Sequence, residues 1–224
     1  MSIVIKAPSG GGSVSLDTQQ SVTGDHTLQL PTGVGTAGQV LKNSSTAGTL
    51  EFGGLSHGDM PTGSILQVKQ THLTTGDSQS LTSGTRAEVS NLSVSITPKL
   101  STSDMMVFVR WNGEFSSTTN YNHIFGVRRD STDIGNPAAA SNRPVGIAIP
   151  SMGFFNADAS STPDSACFSF LDTTRTSGTS QITYKATVMP SATGTQYNQR
   201  TATDLDSNDY ERVTSTIIVM EVAA

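Results

Sequence analysis

The stretch Met106-Val107-Phe108-Val109-Arg110-Trp111 decides how the rest of the chain is read. In an extended backbone successive side chains point to opposite faces. Val107, Val109 and Trp111 therefore share one face, and Met106, Phe108 and Arg110 share the other. Both faces carry apolar groups, which suits a strand in the middle of a sheet better than one at its edge. Trp111, in the most apolar of the strand signals, is expected in the core.

Similar period-two runs flank it. Leu92, Val94 and Ile96 alternate with Asn91, Ser93 and Ser95, and Ile182, Tyr184, Ala186 and Val188 alternate with Thr183, Lys185 and Thr187. These are half-buried strands with one wet face. Residues 124–127, 146–149, 166–171 and 216–222, with an opening strand near Ile65, bring the count to about eight. Eight short antiparallel strands predict an all-β, jelly-roll-like sandwich over residues 61–224. The polar segments 130–143, 156–164 and 190–209 are read as loops, and loops of that length in a compact domain are commonly functional.

Composition supports an all-β reading. Only 14% of the 224 residues are charged, whereas Ser and Thr together number 62. Hydroxyl side chains compete with helical hydrogen bonds and favour turns, while Thr also suits pleated strands. No heptad pattern of a coiled-coil stalk is present. The net charge of −5 disfavours nucleic acid and anionic membranes as partners. No run reaches the 18 or so apolar residues of a membrane helix, so membrane insertion is not expected. Met1 to Lys6 lack the charged and apolar regions of a secretory signal. Cys167 is the only cysteine, which precludes an internal disulfide, and its neighbours Ala166 and Phe168 predict a small buried thiol.

Residues 1–60 read differently. Their apolar residues come in short pairs, Ile3 with Ile5, Val14 with Leu16 and Leu28 with Leu30, and Gly10-Gly11-Gly12 and Gly53-Gly54 act as joints. The segment from Thr27 to Phe52, TLQLPTGVGTAGQVLKNSSTAGTLEF, has too few apolar residues to build a core from one copy. Several copies side by side could build one. The chain is accordingly divided into an attachment and self-assembly region, 1–60, and a head, 61–224.

Five segments carry a resemblance. Leu28 to Pro31, Gly35 to Leu41 and Leu50 to Phe52, then the opening strand Pro61 to Val68 and the closing strand Ser215 to Val222, resemble fibre and spike proteins of tailed bacteriophages, especially marine and cyanobacterial ones. The resemblance implies an interwoven N-terminal β region and a homotrimer on the virion. It also implies contacts of residues 1–60 with other virion proteins in tail or capsid, and a head that binds a host-surface glycan or protein. The number three comes from the resemblance alone. The alternatives are a capsid decoration or head-fibre protein, a glycan-degrading spike enzyme, and a lectin-like adhesin.

No constellation of residues predicts catalysis. The chain lacks a G-x-S-x-G elbow, a Walker A loop and an H-E-x-x-H motif; Gly33-Val-Gly-Thr-Ala-Gly38 passes as G-x-G-x-x-G but follows no long strand and opens no helix. A glycosidase needs two carboxyls about 5 to 10 Å apart, and none of the 18 acidic residues is singled out by its setting. Asp204-Leu-Asp206-Ser-Asn208 opens like a calcium loop, but Asp209 stands where the glycine belongs and Ser215 where the bidentate Glu belongs. It is read as a solvated acidic turn. His26, His57, His72 and His123 show no metal-binding spacing and are assigned surface or turn roles. Neither metal nor cofactor is expected. Among the aromatics, Tyr121, Tyr197 and Tyr210 fall in polar segments and are the receptor-contact candidates, and Phe154 and Phe155 are assigned to a subunit contact.

Overall fold

The computed structural model describes residues 3–6, 13–16, 28–116, 122–139, 141–151 and 161–224. These residues form strands and turns with no α-helix. The chain divides into two compact units, Met1–Ser56 and His57–Ala224.

Among the described residues the first unit contains four short strands. β1 (Ile3–Lys6) pairs antiparallel with β2 (Ser13–Leu16), and β3 (Val40–Asn43) pairs antiparallel with β4 (Leu50–Gly53). The turn before β3 requires Gly38, whose φ of +84° is a left-handed value that a Cβ disfavours; Thr36 N–H closes the turn on Gln39 Oε1 at 2.7 Å. Gln29 lies beside the hairpin, donating its N–H to Gly48 O and accepting from Leu50 N–H, both at 2.8 Å. No residue from 28 to 56 is buried. Leu30 is 70% exposed and Val34 92%, so residues 28–56 form strands without a core of their own.

The second unit begins with a 3-10 turn, His57–Asp59, and ten strands follow: β5 (Ile65–Leu73), β6 (Asp77–Leu81), β7 (Ala87–Ile96), β8 (Asp104–Phe115), β9 (Ile124–Arg129), β10 (Thr132–Ile134), β11 (Asp164–Asp172), β12 (Ile182–Met189), β13 (Gly194–Asn198) and β14 (Ser215–Val222). They form two antiparallel sheets. One has the order β5-β14-β8-β13-β6 with β11 paired to β8, and the other has the order β10-β9-β12-β7. The inward residues of both sheets form one hydrophobic cluster in which Leu92, Ile96, Val107, Trp111, Phe125, Tyr184, Ile217 and Val219 are 0 or 1% exposed. The result is a β-sandwich.

β8 organises the larger sheet. Gly113 is registered with Asp164 of β11 and Asn198 of β13, while Arg110 is registered with Cys167 of β11 and Thr216 of β14. A residue has only two ladder edges, so β13 and β14 share the edge opposite β11 and succeed one another along it. The exchange happens at Asn112. Its N–H donates to Ser215 Oγ at 3.0 Å, its C=O accepts Gln199 N–H at 2.9 Å, and Gln199 Nε2 donates to the same Ser215 Oγ at 2.8 Å. Gly113 is required there because a Cβ would lie 2.1 Å from Tyr197 O. Trp111 is fully buried and donates Nε1–H to Asn198 Oδ1 at 2.7 Å. That amide in turn donates to Asp77 Oδ1 at 2.7 Å, and Asn91 donates to Asp77 Oδ2 at 3.2 Å. The chain of polar groups ties β8, β13, β6 and β7 together at the end of the core. Asn91 has φ +58°, and the β7–β12 register shifts there, because β7 carries extra residues between Glu88 and Ser93.

Four sequence expectations are corrected. Residues 146–149 are not a strand: Ala148 makes a single bridge to Phe125, whose carbonyl accepts from both Ile147 and Ala148. The supposed loops 130–143 and 190–209 contain β10 and β13, whose ladder bonds compensate for sequences with little apolar alternation. Cys167 is exposed, because in β11 Ala166 and Phe168 take the inward phase and the thiol takes the outward one. His123 is 2% exposed, not a surface residue, with its ring centroid 3.8 Å from that of Phe115.

Candidate functional site

Of the three tyrosines expected to contact a receptor, the described residues include two. Tyr121 lies outside them, as do His26, Phe154 and Phe155. Tyr197 belongs to β13 rather than to a loop; it is registered with Ser78 and Glu114, is partly exposed, and carries the Arg200 guanidinium over its ring at 4.6 Å from the centroid. Tyr210 is partly buried in a turn where its N–H reaches Ser207 O at 3.3 Å. Tyr210 lies in a loop closed at its base by a bridge between Arg200 and Arg212, and Tyr197 stands in the strand just before that base. No ring contact joins them among the described residues.

This loop is held by charge. Arg212 grips Asp204 with two bonds, Nε to Oδ1 at 2.8 Å and a second nitrogen to Oδ2 at 2.6 Å, and Arg200 approaches Oδ2 at 3.7 Å. The carboxylate that opened the calcium-like motif is thus committed to arginine, and no group of three potential metal ligands occurs among the described residues. Glu114, 2% exposed, accepts the Ala202 N–H and anchors the rising side of the loop. The surface offered here is a partly exposed tyrosine with an arginine over one face of its ring, next to hydroxyls and amides. Such a surface suits stacking and hydrogen bonding with a polar partner.

Two fully buried carboxylates are structural. Burial raises the Asp172 carboxyl, but hydrogen bonds from Tyr184 Oη at 2.7 Å, Arg129 at 2.8 and 2.9 Å, and the Thr174 N–H and hydroxyl outweigh it and hold Asp172 below its ordinary range. The same burial, with the bond to Asp172, pushes the Tyr184 phenol up. Burial likewise raises Glu221, and donors again win: Ser103 Oγ, the Leu100 and Lys99 N–H groups at 2.9 and 2.7 Å, and Gln67 Nε2 at 2.6 Å keep it low. Every oxygen of both groups accepts at least one bond. They tie loops to the sandwich.

Two open surfaces remain. In the first unit an open groove of about 800 Å³ is lined by Leu30, Pro31, Gly35, Leu50 and Phe52 among others. On the head, a shallow depression of about 650 Å³ lies on the outer side of the larger sheet, bordered by His72, Phe108, Arg110, Cys167, Thr216 and Ile218. Sequence reasoning placed Phe108 on a second apolar face but did not identify that face as open. The signal available was the apolar outward phase of both strands, Met106 with Phe108 in β8 and Ile218 with Met220 in β14.

No protein-family model matches this chain, and no curated protein matches it in sequence.

Proposed function

We propose that the chain is a structural protein of a tailed-phage virion, a tail fibre or spike, in which residues 1–60 join other virion subunits and the head attaches to a host-surface glycan or protein. The observation that carries this reading is a coreless unit of exposed short strands, residues 28–56, joined to an all-β sandwich. A unit with no buried residue gains a core by packing against further copies, and closing strands around an axis also removes open edges. A homotrimer meets both needs. The two head segments that resemble phage fibres support the reading: β5 and β14, first and last strands of the head, are hydrogen-bonded neighbours from Ile65 with Val222 to Leu73 with Ser215.

In this proposal the head is a jelly roll, because β5, β8, β11 and β14 lie in one sheet and β7, β9, β10 and β12 in the other, an interleaving expected of paired Greek keys. The receptor surface is assigned to Tyr197 at the end of β13 and the adjoining loop with Tyr210, with Tyr121 as a further candidate. Antibody labelling of intact particles tests the location. Label at the tail is the expected result, label on the capsid favours the decoration protein, and particles without label overturn the virion reading.

A further inference from the structure

The two sheets of the head have unlike outer faces. On the smaller sheet that face is polar and internally satisfied: Lys185 and Arg128 reach Glu88 at 2.9 and 3.3 Å, Arg128 reaches Asp133 at 2.8 Å, and the Ser95 and Thr183 hydroxyls meet at 2.9 Å. On the larger sheet the ladder registers stack apolar side chains into rows. Val68, Met220, Met106 and Leu171 form one row across β5, β14, β8 and β11, and Ile218 and Phe108 stand side by side in the next. Val68 is 52%, Phe108 40% and Leu171 39% exposed. Gln70 and Ser169 close the second row, and His72, Thr216, Arg110 and Cys167 form a polar third; with four strands about 4.8 Å apart and four rows about 6.7 Å apart, the whole face, polar positions included, is about 500 Å².

We propose that this outer face, centred on Phe108, Ile218, Met106 and Met220, is the contact through which the head packs against another copy of the same chain. The inference rests on the homo-oligomer reading above and locates its head interface. Apolar patches of several hundred Å² mark interaction sites, and two such faces together remove about 1,000 Å², the threshold for a specific interface. The charges fit a like partner. β8 presents Arg110 at one end of the face and Asp104 at the other. Arg110 has one hydrogen bond among the described residues, to Thr214 Oγ1 at 3.1 Å, and no ion pair joins either residue there. Both signs of charge therefore stand on the one face, so a second copy of it can supply the opposite charge to each. A glycan or other polar receptor matches the Tyr197 surface better than this face.

Cys167, the only cysteine, stands beside Arg110 on the same face and serves as a built-in reporter. The experiment uses the full chain: mass by light scattering, and the rate of maleimide reaction at Cys167, for the natural sequence, for Phe108→Lys and for Ser95→Lys on the polar sheet. The expected result is an oligomer whose thiol reacts about tenfold more slowly than that of Phe108→Lys, which loses the head contact while the first unit keeps its oligomer mass, with Ser95→Lys unchanged. Should Phe108→Lys not fold, slow labelling of the natural chain that accelerates on dilution supports the interface without it. An oligomer whose Cys167 reacts at the free rate overturns this interface while leaving the oligomer to the first unit. A monomeric natural chain overturns both.

Discussion

Glu221 shows how a single polar side chain carries structure in a protein with few charges. It is 0% exposed and accepts bonds from Ser103, Gln67 and two backbone N–H groups that cap the 97–103 turn. Its folded carboxyl titrates below the ordinary value near 4.5, as Asp172 does below 3.8. A lowered folded pKa gives stability that is complete above the unfolded value and is lost as pH falls through the folded one. Glu221→Gln replaces an acceptor with an amide facing donors and should cost about 1–3 kcal/mol at pH 7. Thermal unfolding of both proteins should show that gap at pH 7 and a smaller one at pH 3; an equal gap at both would mean that the folded carboxyl is not ionised. None of these partners was legible in the sequence, because they lie more than 100 residues from Glu221.

Strands were read well where burial created the alternation and poorly where hydrogen bonds alone did. β8 and β12 follow their period of two, and Leu92, Val94 and Ile96 of β7 point inward as expected. β13, Gly-Thr-Gln-Tyr-Asn, looked like loop because its stability comes from a ladder with β6 and β8 that the local sequence does not encode. The same pairing moved Tyr197 from a loop into a strand. Its junction with β8 depends on the close approach of Tyr197 O to Gly113. Gly113→Ala should therefore push β13 away, costing about 1–3 kcal/mol as overpacking does, and hydrogen exchange at residues 194–198 should accelerate more than at β12. Uniform exchange in the two strands would place the strain elsewhere.

In the whole protein, the hydrophobic core is confined to one part of the chain. Every member of the hydrophobic core lies between Leu81 and Val219, whereas residues 28–56 bury nothing. Removing residues 1–56 should leave a cooperative thermal transition within a few degrees of the full chain's at matched protomer concentration; loss of the transition would show that the first unit stabilises the head. By itself the sequence determined the all-β class, the inward set of β8, the core position of Trp111 and the weakness of the 27–52 segment. All of these follow from composition and from side-chain alternation along a strand. Only the tertiary structure decided which strands are neighbours, that Cys167 is outward and His123 inward, and that the second apolar face of β8 is not covered by other segments of its own chain. The physical reason is that alternation shows only that two faces differ in polarity, or that both are apolar, while what covers a face depends on segments far away in the chain.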